Sequence, residues 1–138
     1  MRERVEYVFM ILSGVIGSLL GGHDGVITLL LYVMVLDFVL GVSIAYRDKD
    51  LSSGRMTKGF YKRAGVFVVI MMAVQLSIFF NLEFIRTSTI LYYISVEGLS
   101  ILENVNKLEV PVPNFLGKFL ERLREENNSH EEGNSDER

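Results

Sequence analysis

From Val26 to Tyr46 the chain carries a single charged side chain, Asp37, and from Ala64 to Leu82 it carries none. An α-helix rises about 1.5 Å per residue and the hydrocarbon core of a bilayer is about 30 Å thick, so roughly 20 consecutive apolar residues cross it. Both runs meet that length. Val5–Leu20 meets it when Gly21 and Gly22 are counted in, and Ile90–Leu102 is shorter and more polar. Composition alone would not separate this chain from a soluble domain, since 49% of its 138 residues are hydrophobic and 22% are charged. The segregation of those charges does separate it. The expected fold is an all-α integral membrane protein with a transmembrane domain over residues 1–105, built from four hydrophobic helices at about 5–22, 26–46, 64–82 and 88–105, the fourth short and amphipathic.

The basic residues orient such a bundle, because short cytoplasmic loops collect Lys and Arg. Arg2 and Arg4 precede the first run, and none lies in the loop around Gly21–Gly25. The second loop holds Arg47, Lys49, Arg55, Lys58, Lys62 and Arg63; the third holds Arg86. Lys107, Lys118, Arg122, Arg124 and Arg138 follow the fourth run. With four crossings, thirteen of the 14 basic residues fall on one side, which predicts both termini in the cytoplasm. Arg2 and Arg4 before an apolar stretch also fit a secretory leader, but a spanning segment follows almost at once, and a retained first helix is the expectation.

Past the fourth run, Pro111 and Pro113 break the helix. Asn114 then opens a segment whose Phe115, Leu116, Phe119, Leu120 and Leu123 share one face, flanked by Lys118, Arg122 and Arg124. Residues 106–126 therefore read as a cytoplasmic linker and an amphipathic helix lying on the bilayer or on the bundle. The acidic tail, 127–138, lacks apolar periodicity and is expected to be disordered.

Several chemistries are excluded early. The chain has no cysteine and only His23 and His130, far apart, so no metal site or cofactor is expected. No phosphate-cradling loop and no nucleophile paired with a base is present, and an enzyme is not expected. The basic loop, with Phe60 and Tyr61 near its end, is explained by topology and by contact with anionic headgroups, without nucleic acid.

Three polar features remain. Asp37 sits mid-run, where a carboxylate costs about 2.5–3.5 kcal/mol on insertion scales; the surrounding Val, Ile, Leu and Phe residues offset it at about 0.3–0.6 kcal/mol each. It must face a partner or water. Gly41 and Ala45 follow on the same face, and small residues at that spacing let a second helix approach closely. The first run carries denser small-residue stripes, Ser13, Gly17 and Gly21 beside Gly14, Ser18 and Gly22. In the fourth run Thr89, Tyr93, Glu97, Ser100 and Asn104 recur at helical spacing with Glu103 at the edge. That stripe is either a buried seam or the lining of an aqueous space, and Gln75 and Ser77 of the third run are candidates to meet it.

The sequence Asp37-Phe-Val-Leu-Gly41 leading to Ala45, then Leu51-Ser-Ser, Lys58-Gly59, and Val96-Glu-Gly-Leu-Ser-Ile-Leu-Glu-Asn104 followed by Val110-Pro-Val-Pro113, resembles the toxin-secretion/phage-lysis holins from about residue 28 to residue 123. The resemblance implies a phage or prophage protein of a bacterial host. Such a protein oligomerises in the cytoplasmic membrane and opens lesions that release an endolysin, or in some relatives a toxin. The matched positions are Asp37, Gly41, Glu97, Ser100, Glu103 and Asn104; where relatives often carry an acid in the third helix, this chain has Gln75 and Ser77. The expected partners are thus the chain itself, the lipid bilayer, and endolysin or toxin as released cargo. Two other readings stay open: a small ion or solute channel lined by Asp37 and Glu97, and a membrane adaptor acting through its C-terminal helix.

Overall fold

The computed structural model describes residues 1–128, and the predicted disorder of 129–138 lies outside the described residues. The described chain is all-helical: α1 (Arg2–Leu19), α2 (Gly25–Arg47), α3 (Ser53–Phe80), α4 (Glu83–Lys107) and α5 (Asn114–Asn128). Two of these, α2 and α3, are long and apolar enough to cross a membrane.

Local chemistry sets the boundaries. Asp24 caps α2 by accepting from the Ile27 amide (3.1 Å), and Ser52 caps α3 by accepting from the Arg55 amide (3.3 Å). Because of the Ser52 cap, α3 starts at Ser53 and not near residue 64, so most of the basic loop is helix. The first four helices end alike: Gly21, Lys49, Asn81 and Glu109 adopt φ of +81°, 56°, 54° and 60°. In each case the next amide reaches back to a carbonyl five residues earlier, as in Gly22 to Gly17 (2.8 Å) and Asp50 to Ala45 (2.9 Å). Hence α1 stops at Leu19 and does not continue to residue 22, and Gly21 belongs to a turn, not to a helix-packing stripe. The fourth helix is also longer than expected, 25 residues beginning at Glu83, with Thr89 Oγ1 returning a bond to the Ile85 carbonyl (2.7 Å). Asn127 and Asn128 extend α5 beyond the expected boundary at 126.

The central element is α4, which packs against α2, α3 and α5. Its buried Ile90 and Ile94 meet Ile27, Leu30 and Met34 of α2 and Val66, Ile70 and Val74 of α3. Each set recurs at helical spacing, so one stripe per helix builds the core. Bonds at both ends show that α2 and α4 run parallel: Arg86 Nη1 reaches Asp24 Oδ2 (2.7 Å) at their starts, and Arg47 Nη1 reaches the Lys107 carbonyl (3.3 Å) at their ends. The intervening α3 returns in the opposite direction. α5 approaches α4 tightly at Gly98, where a Cβ would lie 3.0 Å from Leu120 Cδ1. No residue within α1 is buried, though Leu20, just beyond it, is.

Candidate functional site

Where α2, α3 and α4 meet, three polar side chains converge. Asp37, 8% exposed, accepts from Arg63 Nη2 (2.9 Å) through Oδ2 and from Asn104 Nδ2 (3.2 Å) through Oδ1. Each helix thus contributes one member. Arg63 also donates from Nη1 to the Gly59 carbonyl of its own helix (3.2 Å), and its guanidinium stacks on Phe38 with 5.3 Å to the ring centroid. Burying a carboxylate is costly unless it is paired and hydrogen-bonded. Here both its oxygens are engaged.

Glu97 is more deeply buried, at 3% exposure, and its charged neighbours are Asp37, Arg63 and Lys62. Its Oε2 is enclosed without a hydrogen-bond partner, as is Arg63 Nε. The cluster therefore contains two carboxyl groups around one half-buried guanidinium, with the Glu97 side chain within hydrogen-bonding reach of Asp37.

The other sequence candidates are placed as follows. Ser100 and Tyr93 are half-buried on α4, with Tyr93 edge-on to Tyr92 (5.4 Å between centroids). Glu103 is exposed and pairs with Lys107 Nζ at 3.7 Å, outside the cluster. Gln75 is exposed, and Ser77 Oγ donates to the Leu82 carbonyl (2.9 Å) at the α3–α4 turn, so neither joins the α4 stripe. Their place is taken by Arg63, which the sequence reading assigned to the topology signal. Gly41 and Ala45 do not seat a neighbouring helix of this chain. A Cβ at Gly41 would meet no atom within 4 Å, and both residues line a cleft of about 370 Å³. On α1, Gly14 faces open space, Ser18 is exposed, and a Cβ at Gly17 would meet only His23 at 3.7 Å.

Two cavities flank the cluster. The polar cleft lies between the α2–α3 turn and the Asp37 floor; an apolar groove of about 750 Å³ between α2 and α3 is lined by Leu31, Val35, Phe60 and Phe67. Phe38, Met56 and Arg63 border both, so the stacked Phe38–Arg63 pair with Met56 forms the partition.

At the opposite end of the bundle a second arginine acts as a clamp. Arg86 donates from Nε to the Leu20 carbonyl (2.8 Å), from Nη2 to the Gly22 carbonyl (3.3 Å), and from Nη1 to Asp24. It fills the space beside Gly21, where a Cβ would fall 2.5 Å from Arg86 Nε. The Arg86 bond, helped by the Ile27 amide, holds the Asp24 carboxyl below its ordinary pKa.

Two helices long and apolar enough to cross a membrane, joined by an acid–guanidinium pair, fit a membrane protein with a polar seam, and comparison with known proteins gives the family. A profile of the bacteriophage holin family matches residues 14–125, and the chain belongs to that family. It is 29% identical over 112 residues to a protein named "Probable holin" from Bacillus phage phi105, covering 80% of this chain and 83% of that one. An uncharacterized protein of Clostridium perfringens is 36% identical over 110 residues, 78% of this chain and 82% of the relative. The YqxH protein of Bacillus subtilis, also uncharacterized, is 31% identical over 99 residues, 71% of each. No solved structure matches the chain. Holins are membrane pore-formers, not enzymes.

Proposed function

We propose that this protein is a holin-like pore-former that self-associates in the bacterial cytoplasmic membrane and permeabilises it, releasing an endolysin, or a toxin, as cargo without stable binding. In this reading α1 to α4 all cross the bilayer, both termini and α5 lie in the cytoplasm, and the basic segment from Arg47 to Lys58 faces the cytoplasmic headgroups. The observation that carries it is the Asp37–Arg63–Asn104 cluster with Glu97 beside it, polar groups hidden at a three-helix junction inside an apolar shell. Intramembrane ionisable residues face a bundle interior or a water path and mark function. Helix association in lipid rests on packing and on polar bonds averaging only about 0.6 kcal/mol each, so such a seam can be exchanged between copies.

The test is inducible expression in bacteria with and without a co-expressed cytoplasmic endolysin. The expected outcome is abrupt, delayed growth arrest, with lysis only when the endolysin is present. Ion leakage without endolysin release would replace this reading with a narrow channel. Continued growth despite membrane accumulation would replace it with an adaptor.

A further inference from the structure

We propose that the polar cleft is an aqueous half-channel, open to the cytoplasm at the α2–α3 turn and closed at the Asp37–Arg63–Asn104 floor. The direction of its opening rests on the orientation proposed above; its hydration rests on geometry alone. Asp48, Asp50 and Arg55 stand at the mouth, and Asp37, Arg63 and Asn104 at the floor. Asp48, which caps α2, lies eleven steps beyond Asp37, about 16 Å at 1.5 Å per residue, which is roughly half of a 30 Å hydrocarbon core.

The cleft exists because α2 and α3 set small residues among the larger ones that line it. Gly41 and Ala45 on one wall and Gly59 on another leave about 370 Å³, room for several waters at about 30 Å³ each. Val42, Ile44 and Met56 make part of its walls apolar, but carboxylates and guanidinium groups at both ends favour water over an acyl chain. The apolar groove on the far side of Phe38 and Arg63 is the more favourable of the two cavities for an acyl chain. Above the floor the path is dry, because Leu30, Met34, Val66 and Ile70 are buried against one another. Ser100 and then Glu97 follow Asn104 back along the polar stripe of α4, so that helix carries the polar groups beyond the floor. A closed protomer thus holds half of a water path, and rearranging the apolar layer completes it.

The chain has no cysteine, so single thiols report without background. The measurement uses the full-length protein in sealed membrane vesicles of either orientation and a negatively charged, membrane-impermeant methanethiosulfonate. The thiols are Leu51→Cys at the mouth, Ala45→Cys midway, Gly41→Cys near the floor, and Val39→Cys on the exposed apolar face of α2. Because a thiol reacts as the thiolate, it must be hydrated as well as reachable. Gly41→Cys and Ala45→Cys are expected to react from the same side as Leu51→Cys, within two orders of magnitude of its rate, with Val39→Cys inert until the membrane is dissolved. A Cβ at Gly41 meets no atom within 4 Å, so the backbone there accepts a side chain. Should Gly41→Cys and Ala45→Cys be as inert as Val39→Cys beside a reactive Leu51→Cys, the half-channel is overturned and the orientation stands. Should Leu51→Cys react only from the outer face, the orientation is overturned, and cytoplasmic access with it.

Discussion

Asp37 and Arg63 stand at equal distances from the turn that joins their helices. Asp37 lies ten residues before Arg47, where α2 ends, and Arg63 lies ten residues after Ser53, where α3 begins. Antiparallel helices joined by a short turn bring such positions level, and the 2.9 Å bond follows. Because two acids share the one guanidinium, the two partners are unequal. Removing one partner of a buried pair costs about 3–5 kcal/mol, and the larger loss is expected for Arg63→Gln, which strands Asp37 and Glu97 together. Asp37→Asn leaves Glu97 as a neighbour for Arg63 and loses less. The double variant is expected to be more stable than the summed losses by about 1–3 kcal/mol, measured by thermal unfolding in detergent. Strictly additive losses would show that the pair is not coupled.

At the other end of the bundle, Gly21 and Gly22 both adopt positive φ, yet only Gly21 has Arg86 against it. A residue with a Cβ in the left-handed region costs about 1–2 kcal/mol, so Gly21→Ala and Gly22→Ala share that loss. Only Gly21→Ala also displaces Arg86 from the Leu20 and Gly22 carbonyls. It is expected to lower stability by a further 1 kcal/mol or about that, the ordinary worth of a hydrogen bond to a charged group or slightly less. Melting temperatures of the two variants side by side decide the matter, and equal losses would remove Arg86 from the account.

The same clamp gives a pH dependence of known sign. Asp24 is held ionised by Arg86 and the Ile27 amide, so its pKa in the folded protein lies below its unfolded value. Its contribution is fully present above the ordinary carboxylate pKa of about 3.9 and is lost as pH falls through the lower folded value. The stability difference between wild type and Asp24→Asn is therefore expected to be constant from pH 7 to 5 and to shrink below about pH 4. A difference that grows on acidification would contradict the assignment. Because the side chain is 48% exposed, the whole effect is small and salt-sensitive.

The apolar runs made α2 and the membrane half of α3 readable from sequence, because hydropathy and helix length are local properties. So were Asp37, Glu97 and Asn104, since a charge in an apolar run and polar residues at helical spacing need no partner to be noticed. Arg63 was not legible, because its basic neighbours disguised it as a topology signal. Only the Ser52 cap, which starts α3 eleven residues earlier than the apolar run, reveals that Arg63 stands level with Asp37. Gly41 and Ala45 were visible as small residues, but small residues accompany close packing and open clefts equally well. Which of the two occurs depends on what α3 and α4 place opposite, and that is a tertiary fact. The expected role of Gln75 failed for a similar reason: the face that α3 turns to α4 is fixed by Val66, Ile70 and Val74, and Gln75 falls off it.

Glu97 is where stability and activity should part. In the closed bundle its Oε2 is buried without a partner, and an unsatisfied buried polar group costs about 1–3 kcal/mol. Glu97→Leu removes that group, so the closed protein is expected to melt no lower than wild type. If opening turns the α4 stripe from a buried seam into a wet lumen, the same substitution removes the group that favours the open state. Lysis in the endolysin co-expression assay is then delayed or abolished while membrane accumulation stays normal, with Glu97→Gln intermediate because it keeps a polar side chain. Wild-type lysis timing for Glu97→Leu, at equal accumulation, would sink the lumen assignment and leave Glu97 a structural residue of the seam.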